Sequence, residues 1–276
     1  MKDLIKELVE ACGPSGSEQA VRELVSARIA DHAHAVRTDV LGNLIATVRG
    51  GGGGKRIMLA AHMDEIGVVV SHVDEKGFLR FGAVGGVRPQ TLLGSRVRFT
   101  NGVCGVIGAD QKGVQGDLPR LDQCFIDVGA CARDGAPVQV GDVACFDRPF
   151  VDLGGRLVAK AMDDRIGCAV LIEVLRRLGE TPHEVHFVFT VQEEVGLRGA
   201  TTSAYGLEAD LGIAVDVTLT GDTPEARTMA VSLGAGPAIK VKDSGMLAHV
   251  GVRSWMVDTA RAEGIPFQLE VLVGGS

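Results

Sequence analysis

Aromatic side chains are scarce in this chain of 276 residues, with one Trp, one Tyr and nine Phe. Stacking on sugars or nucleobases needs planar rings, so a carbohydrate groove or a single-strand nucleic-acid platform is disfavoured. Basic charge is also short. Lys and Arg number 28 against 35 Asp and Glu, a formal net charge of -7, which argues against nucleic acid or an anionic membrane as the main partner. No apolar run reaches the length of a membrane span, and the start, MKDLIKELVEACG, has neither an uninterrupted apolar segment nor a small-residue cleavage site. A soluble, cytoplasmic protein is expected. The six cysteines (Cys12, Cys104, Cys124, Cys131, Cys145 and Cys168) are dispersed without a C-x-x-C pair. Neither a zinc knuckle nor a disulfide framework is indicated, and reduced, mostly buried thiols are expected.

What is present is a globular composition, 46% hydrophobic and 23% charged with 38 scattered Gly, on a length that admits one large core or two smaller ones. Leu4, Ile5, Leu8, Val9 and Cys12 recur at helical spacing until Gly13-Pro14 interrupts them. Ser15 followed by Glu18 reads as a capping box for a second helix through Val21, Leu24, Val25 and Ile29. Residues 44–48 and 57–61 read as two strands joined by a turn at the glycine run 50–54, which lacks the G-K-[ST] ending of a phosphate loop. From 67 to 152 the texture becomes short β-like runs separated by Gly, Pro, Asn and Asp, without an amphipathic helix, as in a compact β module. Helical texture returns at Asp163. The runs 186–191 and 211–215 are continuous enough to read as buried strands of a mainly parallel or mixed sheet.

Chemistry-bearing residues gather where these apolar runs end. His62-x-Asp64 closes the run 57–61, and the period of two puts both side chains on one face, where an imidazole can bind a metal and a carboxylate can orient it. Asp163-Asp164-Arg165 opens a helix; acidic residues there complement the helix dipole, and a carboxylate has two oxygens with which to bridge two cations. Gln192-Glu193-Glu194 follows the buried run directly, so that one Glu could hold metal while its neighbour acts as general base, with Gly196 and Gly199 allowing a close turn. Asp216 closes the run 211–215. In open α/β sheets ligands collect at the carboxyl ends of strands, and this oxygen and nitrogen donor set suits zinc, cobalt or manganese.

The order and wording of four segments, Ala61-His62-Met63-Asp64-Glu65, Ala161-Met162-Asp163-Asp164-Arg165, Val191-Gln192-Glu193-Glu194-Val195-Gly196 and Val215-Asp216-Val217, resemble the glutamyl and tetrahedral aminopeptidases. The resemblance runs the length of the chain. It implies an α/β fold, a three-layer phosphorylase/hydrolase-like catalytic domain with a mixed sheet (1–66 and 153–276), interrupted by a small β-barrel dimerisation domain (67–152). It further implies a homo-oligomer built from dimers, up to a dodecamer, that trims peptides with two divalent ions, zinc or cobalt. Carried over by motif, His62 and Asp216 would hold one metal, Asp163 would bridge both, Glu194 would hold the second, Glu193 would be the general base and Asp64 would orient His62. Family members continue past the segment matching Val273-Gly274-Gly275 into further strands, a last helix and a His-Ser-Pro motif that completes the second site. The chain ends at Ser276, so that ligand is expected to be missing, and His249 sits in the wrong context to replace it. Two alternatives stay open: a non-catalytic, truncated relative keeping the fold, one metal and the oligomer interface, or a metal-dependent endoglucanase or deacylase.

Overall fold

The computed structural model describes residues 1–110 and 119–272. It divides into two units, residues 1–216 and 217–276. In the first, α1 (Lys2–Glu10) buries Leu4, Ile5, Leu8 and Val9, the apolar stripe expected of its spacing, and α2 (Gln19–Ile29) buries Val21, Val25 and Ile29. Both pack against α3 (Met162–Arg177). A sheet lies beneath these helices, built from β1 (Ala35–Thr38), β2 (Leu44–Val48), β3 (Arg56–His62), β12 (Glu184–Thr190) and β13 (Leu211–Ala214) in the order β1-β2-β12-β3-β13. Strands β12 and β13 run parallel to β3, β2 runs antiparallel to β12, and β1 antiparallel to β2.

Residues 44–48 and 57–61 are strands, but they do not form the hairpin that the glycine run promised. β12 lies between them, antiparallel to β2 and parallel to β3. The glycine run instead packs on the segment that enters β12. A Cβ on Gly50 would lie 2.4 Å from the His183 carbonyl oxygen, and Gly51 N–H donates to Thr181 O. The run 211–215 also differs from expectation. β13 alternates between half-buried and exposed residues, because it pairs with β3 on one side only among the described residues.

Six strands, β4 (Gly67–Val73), β5 (Leu79–Val84), β6 (Arg96–Phe99), β7 (Cys104–Ala109), β8 (Cys124–Asp127) and β9 (Val143–Phe146), close into a barrel in the order β4-β5-β8-β7-β6-β9. Alternate residues such as Val68, Val70, Leu79, Phe81, Val97, Phe99, Ile107 and Ile126 fill its interior. A short hairpin, β10 (Val151–Asp152) with β11 (Leu157–Val158), leads to α3, and α4 (Arg198–Leu207) links β12 to β13. In the second unit the parallel strands β14 (Ala238–Lys242) and β15 (Gln268–Val271) are joined through α5 (Val250–Ala262). His249 caps α5 by accepting the Val252 N–H. Residues 273–276, on which the expectation of missing terminal strands rests, lie outside the described residues.

All six cysteines are free thiols, with Cys124, Cys145 and Cys168 buried, Cys12 half-buried, and Cys104 and Cys131 exposed. Among the described residues no helix is long and apolar enough to cross a membrane.

Candidate active site

Three parallel strands point their carboxyl ends at one edge of the sheet. His62 is the last residue of β3 and pairs with Thr190, the last residue of β12. Pairing continues one residue further, with Met63 N–H donating to Thr190 O, and on the other side Val215 N–H donates to Ala60 O. His62, Glu193, Glu194 and Asp216 therefore arrive together, because backbone register fixes their height.

Asp64 organises the group from behind. Its carboxylate is fully buried and accepts from the Ser15 hydroxyl (2.6 Å), the Glu193 N–H (3.0 Å) and the Glu194 N–H (3.2 Å), with His62 Nδ1 at 3.4 Å. Burial alone would raise its pKa; the hydrogen bonds and the His62 charge outweigh it and hold the carboxyl below its ordinary value. Gln192 enters the turn at φ 55°, and its N–H donates to Glu18. That left-handed step points the next two N–H groups at one carboxylate. Gly199 lets the chain leave again, since a Cβ there would lie 2.3 Å from Val191 O.

His62 turns its outer nitrogen to the other acids. Nε2 is 2.9 Å from Asp163 Oδ1 and 3.9 Å from Glu193 Oε2. Asp164, joined to Asp163 by a cis peptide, points inward and is fully buried. Its oxygens accept the His62 N–H (3.2 Å) and the Gly167 N–H (3.0 Å). One ligand atom each from His62, Asp164 and Asp216 lie within 4.8 Å of one another. This is a suitable donor set for a divalent cation: one imidazole and carboxylates, in the proportions hard and borderline metals take.

Residues 42–276 match the family model of the M42 glutamyl aminopeptidases. The chain belongs to the M42 glutamyl aminopeptidase family. It is 48% identical over 277 residues to a candidate aminopeptidase of Acetivibrio thermocellus, covering 100% of this chain and 83% of that protein. The solved structure of an aminopeptidase from Desulfurococcus kamchatkensis superposes with a TM-score of 0.94 at 42% identity, over 99% of this chain and 80% of that one. The Pyrococcus horikoshii TET1 peptidase, solved as a protein that can assemble into a tetrahedron or a large octahedral shell, gives 0.88 at 33% identity, over 100% and 85%. This M42 chain is an enzyme of the aminopeptidase class.

Several members of the M42 site escaped sequence reasoning. Ser15 and Glu18 do not form a capping box: α2 begins at Gln19 without a side-chain cap, Ser15 bonds Asp64, and Glu18 accepts from Gly16 N–H and Gln192 N–H. Asp164 was visible only as one of a capping pair. Behind Asp64, a buried ionic cluster joins Glu65 to Lys160 (2.8 Å) and Arg165 (3.4 Å). Arg165 also donates to the carbonyls of Leu8, Ala11 and Met63. No local pattern could have exposed these partners, since they lie about a hundred residues apart in sequence.

Titration of the metal-free M42 chain has a definite sign. Burial, then the charge of nearby Asp216, pushes Asp164 up to about 8. Burial, then Asp163, pushes Glu194 up to about 7. Burial works against the charge on His62, but hydrogen bonds to Asp163 and Asp64 overcome it and hold the imidazolium well above its ordinary range. All three bind protons more tightly folded than unfolded, so their contribution to stability is lost as pH rises through these values. Asp64 contributes nothing to the slope here, because its stabilisation is complete above its ordinary 3.8. In chelator, the urea midpoint is expected to fall between about pH 6 and pH 8.5, and added zinc should reverse the slope, since cations bind the deprotonated ligands. A midpoint rising with pH in chelator would contradict this assignment of protons.

Proposed function

We propose that this M42 aminopeptidase removes N-terminal residues from peptides by hydrolysis at a centre of two divalent ions, zinc or cobalt, held by His62, Asp163, Glu194 and Asp216. The observation that carries the reading is the convergence of three parallel strand ends on one edge, with His62 Nε2 facing carboxylates and His62 Nδ1 facing Asp64. Asp163 rather than Asp164 would help hold the ions, because both oxygens of Asp164 already accept backbone N–H groups. When bound, such ions polarise the scissile carbonyl and bring a water molecule within reach of deprotonation near neutral pH.

The chain's own residues do the rest. Asp64 fixes the His62 ring with its lone pair outward and holds the turn that carries both glutamates. Glu193 is half-buried, and burial, then Asp216, Asp64 and Asp163, raises its pKa despite the opposing His62 charge, which suits a base that must accept and return a proton. It takes a proton from the attacking water as the oxygen bonds the carbonyl carbon, and gives it to the amide nitrogen as the C–N bond breaks. We further infer a cytoplasmic homo-oligomer, with residues 67–152 as the dimerisation domain inserted in a catalytic domain of 1–66 and 153–276. Six free thiols fit a reducing compartment, and the likeness to the TET1 peptidase, which can assemble into a tetrahedron or octahedral shell, supports the oligomer.

The test is release of free amino acids from short peptides. Turnover is expected with a free N-terminus, absent with an acetylated one, lost in chelator and regained with zinc or cobalt. Hydrolysis of acetylated peptides, or of a β-glucan in preference to peptides, would overturn the reading.

A further inference from the structure

We propose that Cys12 and Cys145 form a dithiol site, separate from the hydrolytic centre, that a hydroperoxide converts into a disulfide. Cys12 follows the last turn of α1, and Cys145 lies in barrel strand β9, fully buried. Their sulfurs meet at one backbone oxygen: the Arg98 carbonyl lies 3.6 Å from Cys12 Sγ and 3.5 Å from Cys145 Sγ. Arg98 is the cross-strand partner of Cys145, so sheet register holds the second thiol in place. The first is held by its neighbours, since Arg98 also donates to Glu10 O and Lys160 donates to Ala11 O.

The two thiols divide the chemistry between them. A hydrogen bond from Cys145, helped by the nearby Lys160 charge, holds the Cys12 thiol below the ordinary thiol range against burial and Glu65. The same bond, together with burial, pushes Cys145 far up. Cys12, half-buried, is thus the reactive sulfur, and Cys145 keeps its proton. Cys168 is different: it is fully buried, its thiol donates to His62 O, and burial holds it well above the ordinary range.

The step balances with the hydroperoxide as oxidant. The Cys12 thiolate attacks the terminal peroxide oxygen, the O–O bond breaks, the hydroxide or alkoxide leaves as water or alcohol with the proton that the Cys12 thiol gave up, and Cys12 becomes a sulfenic acid. The Cys145 sulfur then attacks the Cys12 sulfur, the S–O bond breaks, and hydroxide leaves with the Cys145 proton as water. Two thiols lose two electrons, and the peroxide gains them. The product ties the end of α1 to the barrel.

The full-length, metal-loaded protein is treated with graded hydrogen peroxide, quenched by alkylation, digested and mapped by mass spectrometry. A single intramolecular crosslink between the Cys12 and Cys145 peptides is expected, lighter by two hydrogens and reversed by dithiothreitol. Cys145→Ala should leave Cys12 as a sulfenic acid that dimedone traps, whereas Cys104→Ser should leave the crosslink yield unchanged. The proposal is overturned if Cys12 in the parent protein stays alkylatable at peroxide concentrations that oxidise Cys104. It is equally overturned if Cys12 runs on to sulfinic acid without a crosslink. The parent protein decides this by itself, even where Cys145→Ala does not fold.

Discussion

Replacing Glu193 with Gln is expected to lower kcat for peptide hydrolysis by roughly 10²–10⁴-fold, the range that loss of a positioned general base produces, while bound metal and KM stay near those of the parent. Gln keeps the length of the side chain and the backbone N–H that Asp64 holds at 3.0 Å, but its amide cannot take a proton from water. Glu193 stands 3.9 Å from His62 Nε2, close to the centre. Glu194→Gln should behave differently, losing metal before it loses turnover per bound metal. Measuring kcat at saturating zinc or cobalt beside metal content by elemental analysis separates the two roles. A Glu193→Gln enzyme that turns over within about tenfold of the parent rules out the base assignment, and one that loses metal would make Glu193 a ligand.

The second large effect is on folding. Glu65→Ala is expected to destabilise the chain by about 3–5 kcal/mol, because it leaves two buried cations without their shared anion. Lys160 and Arg165 have side-chain exposures of 4% and 0% and converge on Glu65, so neither can recover water when the carboxylate is gone. Replacing all three by apolar residues of similar volume should restore a large part of the loss, since the desolvation cost disappears with the charges. Urea unfolding at fixed protein concentration and metal loading reads both effects. Glu65→Ala at parental stability would show that the cluster reaches water.

Where the sequence was legible, the signal was local. The stripe Leu4, Ile5, Leu8, Val9 needs only the helical repeat, and it forms α1 as read. The barrel strands announce themselves as short β-like runs broken at Gly, Pro, Asn and Asp, and in the structure alternate residues of those runs fill the interior. Acids closing apolar runs pointed to a site because a parallel sheet collects its strand ends, and β3, β12 and β13 do so. The readings that failed needed knowledge of what lies across the fold. Two strands with a glycine turn between them read as a hairpin until β12 is known to separate them. Ser15 with Glu18 reads as a cap because the local partner is the only one in view; Asp64, 49 residues on, takes the hydroxyl instead. Arg165 reads as part of a helix start, yet its guanidinium ends on carbonyls of α1 and the chain just beyond it.

Asp64 touches the imidazole at the end of one strand and the amides of two successive glutamates in the turn that follows another. In the proposed roles, one carboxylate thereby sets the spacing between the proton acceptor and the metal-facing groups, so that moving one would move the other. A substitution at position 64 is therefore expected to shift the ring and the turn together rather than either one alone.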